Sequence, residues 1–267
     1  MSVPLRDVLR NVVKEKLARD EVVASMIVRL VRTVEIARIA ASAGFDTLYI
    51  DVEHSSISLD AAGQICIAAL GAGIAPFVRV PGLAPATIGR VLDGGALGII
   101  APHIRSAEDA RKVVAAAKFP PYGERSANAG LPHLQYRNYP TDEANAALND
   151  ATLVAVMIET LEALDKVEEI AAVDGVDLLL VGTNDLTAEM GIPGRYDEPR
   201  VRAAFERIIA AARANGRHVG IGGLASRPDL TAEFVRMGAR FVSTGTDLAF
   251  LMAGAAAKAR QVAEIKL

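Results

Sequence analysis

Four side-chain types fall where chemistry would need them. Glu159 and Asp185 each close an apolar run, residues 153–158 and 178–181 respectively, and so offer hard carboxylate oxygens at the ends of successive elements. Two such groups can share a divalent cation. Magnesium is typically held by one or two carboxylates and keeps its other positions for water and substrate oxygens, which suits a 2-oxo acid chelating through its carboxylate and keto oxygens. Manganese or cobalt fits the same donors. The competing reading is that both residues cap the helices that follow them. His54 lies in the run Asp51-Val52-Glu53-His54. Its imidazole can serve as a general base or as a metal ligand, with Asp51, or Asp93 in the next helical segment, fixing the ring. Arg79, isolated in the apolar run 77–80, needs an anionic partner: a developing oxyanion, or a salt bridge to Asp51 or Glu53. Gly182, Thr183, Asn184 and Asp185 form a strand-to-helix junction whose backbone N–H groups can hold a substrate carboxylate.

These residues share a position within a repeated unit. Short Val/Ile/Leu runs alternate with Ala-rich stretches of helical period, predicting strands at 25–28, 47–51, 76–80, 98–101, 152–158, 177–181, 218–222 and 241–244. Helices are predicted over 34–43, 59–72, 107–118, 161–172, 199–214 and 228–237, with Gly44, Gly216 and Gly238 stopping three of them. Eight β-α units in one chain of 267 residues predict a single α/β domain over 1–267, a (β/α)8 TIM barrel whose site lies at the C-terminal ends of the strands. A Schiff-base mechanism would need a lysine on a strand, and none of the seven (Lys14, Lys16, Lys112, Lys118, Lys166, Lys258, Lys266) falls on one. A cation-stabilised enolate is therefore preferred. Gly222-Gly223 and Ser243-Thr244-Gly245 leave a phosphate subsite open. His103 and His218 read as structural, and His133 stands undecided in the long segment 119–150, a lid or an oligomer contact.

A net charge of −3, from 29 basic and 32 acidic residues, gives no footprint for nucleic acid or an anionic membrane. Small-molecule chemistry is favoured. The first 20 residues interleave Arg6, Arg10, Lys14 and Lys16 with apolar positions and carry no export signal, so a cytoplasmic location is expected, and no membrane span is predicted. The lone Cys66 excludes an intrachain disulfide and reads as core.

The ordered motifs Gly44-Phe45-Asp46, Asp51-Val52-Glu53-His54-Ser55-Ser56, Phe77-Val78-Arg79-Val80-Pro81, Met157-Ile158-Glu159-Thr160 and Asn184-Asp185-Leu186 resemble the HpcH/HpaI aldolases, class II pyruvate aldolases, across residues 25–251. The resemblance implies a phosphoenolpyruvate/pyruvate-type barrel with Glu159 and Asp185 as metal ligands. His54 becomes the base, acting with Asp93 or Asp51, and Arg79 the residue on the keto or enolate oxygen. It also implies a homo-oligomer, a trimer or hexamer, with the C-terminal helix exchanged between subunits. Met157 and Thr183 depart from the common pattern of Gln and Pro, and with Leu92-Asp93-Gly94-Gly95-Ala96 they bring the chain nearer to the macrophomate synthase branch. The expected function is cleavage of 4-hydroxy-2-oxo acids to pyruvate and an aldehyde. Alternatives are oxaloacetate decarboxylation, alone or with enolate transfer, and a non-catalytic carboxylate-binding barrel.

Overall fold

A computed structural model describes residues 3–265, so Lys266 of the lysine argument and the last residue of the C-terminal segment lie outside it. Eight parallel strands close a barrel in sequence order: β1 (Val23–Val28), β2 (Thr47–Asp51), β3 (Ala75–Arg79), β4 (Gly98–Ala101), β5 (Leu153–Ile158), β6 (Leu178–Gly182), β7 (His218–Gly222) and β8 (Phe241–Thr246). The strands read as continuous apolar runs because parallel strands are buried on both faces, by helices outside and by packed side chains inside. Predicted and observed bounds differ by at most two residues. β1 closes onto β8 with a register shift between Ser25 and Met26.

Two apolar layers hold the barrel. The outer one packs helices on strands, with Ile50, Val78, Ile99, Val156, Leu179 and Val219 facing outward. The inner one contains Tyr49, Phe77, Ile100, Met157, Leu180 and Phe241, and is closed at the N-terminal end by Val13 and Leu17 of the helix Val12–Ala18. Phe77 and Phe241 stack inside at 6.1 Å between ring centroids. Gly98 makes room for them: a Cβ there would lie 2.7 Å from the Leu153 carbonyl oxygen and 2.9 Å from the Phe77 ring. Gly44, Gly216 and Gly238 do take positive φ values, +89°, +65° and +131°, as the helix stops require.

Two expectations need correction. The helix predicted over 161–172 breaks into Leu161–Asp165 and Val167–Ala171, with Lys166 leaving helical geometry at φ −109°. The segment 119–150 is not an open loop. It holds a 3-10 turn, Pro132–Leu134, and the helix Thr141–Ala151 packed over Phe119, Leu131 and Leu134. Asn149 ties it down by accepting from the Phe119 N–H and donating to the Phe119 carbonyl. Because this segment joins a helix end to the start of β5, it lies at the N-terminal end of the barrel, opposite the mouth. Among the described residues, no helix is long and apolar enough to cross a membrane.

Candidate active site

The mouth is organised around one carboxylate. Asp51 ends β2 and Arg79 ends β3 at paired registers, so their side chains emerge together. Arg79 Nε donates to Asp51 Oδ1 at 2.9 Å and Nη2 to Oδ2 at 2.5 Å, while Arg29, just past β1, donates from Nε to the same Oδ2 at 2.6 Å. The backbone N–H groups of Glu53 and His54 complete the set on Oδ1, each at 3.1 Å. Burial raises the Asp51 carboxyl, but the bonds from Arg79, His54 N–H and Arg29 outweigh it and hold the group below its ordinary value. Arg79 Nη1 stands 2.9 Å from Glu53 Oε2, and its guanidinium lies over the Tyr49 ring.

His54 is positioned by its backbone rather than by its ring. The imidazole is exposed, and its only approach to a carboxylate among the described residues is Nε2 to Glu53 Oε2 at 3.8 Å. Within one chain Asp93 does not lie beside His54. It ends the helix Pro85–Asp93, which runs back toward the N-terminal end of the barrel, and there it accepts from buried Arg125 at 2.7 Å. Within one chain, Asp51 remains as the carboxylate beside His54, through the main chain.

Glu159 follows β5 and is nearly inaccessible. Its Oε1 accepts from the His103 N–H at 2.7 Å, and no donor among the described residues reaches its Oε2. Burial pushes this carboxyl up, and the negative charges of Asp185 and Glu53 push it further. Gly182 allows the close packing: a Cβ there would lie 2.8 Å from Glu159 Cβ and Oε2. Asp185 projects from the first turn of the helix Thr183–Glu189, which no side chain caps. Two acidic residues that follow adjacent strands, one of them buried, raised and carrying a free oxygen, suit a hard divalent cation that would relieve the repulsion. Among the described residues no group of three His, Cys, Asp or Glu is prearranged around a metal, so water and substrate oxygens would supply the remaining ligands.

Gly182, Thr183, Asn184 and Asp185 line a cavity of about 510 Å³ together with Arg29, Tyr49, His54 and Arg79. A sequence model of the HpcH/HpaI aldolase/citrate lyase family matches residues 25–253. The chain belongs to that family. It is 41% identical over 260 residues to a 4-hydroxy-4-methyl-2-oxoglutarate aldolase of Hapsidospora irregularis, covering 96% of each chain. It is 38% identical over 237 residues to a 4-hydroxy-2-oxo-heptane-1,7-dioate aldolase of Salmonella typhi, covering 86% of this chain and 87% of the other. Among solved structures, an HpcH/HpaI aldolase from Desulfitobacterium hafniense superposes with a TM-score of 0.89 at 30% identity, covering 95% and 97% of the two chains. Macrophomate synthase superposes at 0.76 with 25% identity, covering 97% and 90%.

In this HpcH/HpaI chain one histidine expected among the core strands reaches the mouth instead. His103, read as structural, sits just past β4 at φ +59° with its side chain 61% exposed. Nε2 lies 2.8 Å from Glu53 Oε1 and Nδ1 3.3 Å from Glu159 Oε1. Its place after an apolar run was the same signal that singled out Glu159. His218 starts β7 at the opposite end, where burial lowers its pKa. His133 is buried in the N-terminal assembly against the Ala96 carbonyl. Of the glycine-rich phosphate candidates, Gly222, Gly223, Ser243 and Gly245 line the cavity, but Thr244 Oγ1 is spent on the Ser25 carbonyl.

Proposed function

We propose that this chain is a divalent-cation-dependent lyase that cleaves 4-hydroxy-2-oxo acids to pyruvate and an aldehyde. The observation that carries the reading is a guanidinium, Arg79, clamped by Asp51 in the same mouth as two carboxylates fit for a cation, Glu159 and Asp185. Both relatives named above are aldolases of such acids, which supports the substrate class.

Magnesium, with manganese or cobalt as alternatives, would be held by Glu159 and Asp185 and would supply Lewis-acid stabilisation of negative charge on the substrate's C2 oxygen. The chain's own groups do the rest. Backbone N–H groups of Asn184 and Asp185 receive the C1 carboxylate. His54, through one water, takes the C4 hydroxyl proton. The C3–C4 bond breaks, its electron pair passes to the enolate of the departing pyruvate, and C4 becomes a carbonyl. Arg79, unable to swing away while Asp51 holds it at two points, donates to the enolate oxygen. A fixed donor of this kind costs no reorganisation and is typically worth about 3–4 kcal/mol of barrier. Return of the proton to C3 releases pyruvate.

Decarboxylation of oxaloacetate is the second reading. Its favouring observation is the His54 ring, which lacks a close carboxylate partner, because loss of CO2 yields the same enolate without a base. Likeness to macrophomate synthase supports it too. We also propose a homo-oligomer in which the helix Asp247–Ala263 meets a second copy, since Leu248, Phe250, Leu251 and Met252 are exposed on it.

The test is pyruvate release from 4-hydroxy-2-oxo acids and from oxaloacetate, with chelator and after adding back each cation. Cation-dependent release from the hydroxy acids is expected. Release from oxaloacetate alone favours the second reading, and release from neither refutes both.

A further inference from the structure

Arg29 is a second guanidinium at the mouth that the mechanism above leaves unused. It follows β1 directly, and its backbone N–H donates to Asp247 Oδ1 at 3.0 Å, so the start of the last helix fixes where its side chain begins. The side chain spends one of its five N–H donors, Nε–H, on Asp51. Its two terminal nitrogens find no acceptor among the described residues, and at 37% exposure the group lines the cavity. A cation with four free donors, already tethered on one side, is prepared for an anion.

Barrel order says which part of the substrate it meets. In a closed ring of eight, β1 lies diametrically opposite β5, which carries Glu159, and next to β2, which carries His54. The pyruvyl half of the substrate occupies the Glu159–Asp185 side. The half released as a carbonyl compound must then extend past His54 toward β1. We propose that Arg29 binds a carboxylate attached to C4 of the substrate, so that the partner released with pyruvate is itself a 2-oxo acid rather than a simple aldehyde.

The inference rests on the lyase reading and sharpens its substrate class. For 4-hydroxy-4-methyl-2-oxoglutarate, the C3–C4 bond breaks, the C4 hydroxyl proton leaves, and C4 with its methyl and carboxylate becomes pyruvate. The enolate half, protonated at C3, becomes a second pyruvate, and no other reactant is needed. Asp51 keeps both bonds from Arg79 and two from the backbone when Arg29 is removed, so the enolate side retains its support.

The experiment compares wild type, Arg29→Leu and Arg29→Lys on 4-hydroxy-4-methyl-2-oxoglutarate and on 4-hydroxy-2-oxopentanoate, which carries no carboxylate at C4. The quantity read is the ratio of the two kcat/KM values. Loss of one charge-assisted contact is expected to lower that ratio roughly 10- to 100-fold in Arg29→Leu. The change should appear mainly in KM, because the carboxylate is present equally in ground and transition states. Arg29→Lys should recover part of the ratio by restoring the charge without the fork. A uniform fall on both substrates, with the ratio unchanged, overturns the assignment and leaves Arg29 a support for Asp51. If wild type releases pyruvate from neither compound, the lyase reading itself fails and takes this one with it.

Discussion

Asp51 and Arg79 occupy paired registers on neighbouring strands and meet through two parallel hydrogen bonds, with Arg29 closing on the same carboxylate from the other side. One buried anion is therefore shared by two cations that face the cavity. Removing it leaves Arg79 with Glu53 alone and Arg29 with no ion pair among the described residues. Breaking such a buried pair typically costs about 3–5 kcal/mol.

Asp51→Asn should accordingly lower stability by about that amount at neutral pH, read from urea unfolding, and should abolish most turnover. The pH dependence has a defined sign. The folded carboxyl titrates below its unfolded value, so its contribution is complete above the ordinary aspartate range. It is lost as pH falls through the folded value. The gap between wild type and Asp51→Asn should shrink on acidification below about pH 4. A gap that stays constant would show that side-chain shape, not charge, held the clamp.

Glu159 is the opposite case, a carboxyl whose ionisation burial opposes. Its charge costs stability at neutral pH unless a cation is present. Glu159→Gln keeps an oxygen for the His103 N–H and should raise the melting temperature of the cation-free protein. Each kcal/mol gained corresponds to about 2–4 °C in a chain of this size. The same variant should lose the melting-temperature increase expected of wild type on adding manganese. A variant that melts lower than wild type without cation would contradict the burial cost assigned to the ionised Glu159.

Much of this was legible because one rule covers the fold: side chains that follow an apolar run meet at one mouth. Asp51, Arg79, Glu159 and Asp185 obey it, and the eight runs fixed their order around the ring. Arg29 and His103 obey it too, although Arg29 was not singled out and His103 was read as a strand-end residue of the core. His103 also depends on a left-handed backbone turn at φ +59°, which no side-chain pattern encodes. Within one chain Asp93 lies away from His54 by direction: it ends a helix, and helices return the chain to the end opposite the C-terminal ends of the strands. The helix Thr141–Ala151 hid because its contacts come from Ala144, Leu148 and Ala151, too little apolar contrast for a periodic stripe to stand out.

His133 supplies a pH effect remote from the mouth. Its Nε2 lies 2.9 Å from the Ala96 carbonyl, an acceptor, so Nε2 carries the hydrogen and a second proton must land on Nδ1. Nδ1 is buried without a partner. Burial pushes this imidazole down to about 4, against an ordinary value of 6.5. A histidine held neutral in the folded state gives its full contribution above the unfolded value and loses it as pH falls between the two. Across that window unfolding takes up one extra proton at this site, a slope of about 1.4 kcal/mol per pH unit. His133→Gln, whose amide can still donate to Ala96, should be flatter than wild type by that slope from about pH 6.5 to 4 in urea titrations. Parallel pH profiles for the two proteins would mean that His133 takes up its proton as readily in the fold as in the unfolded chain, against the burial of an unpartnered Nδ1.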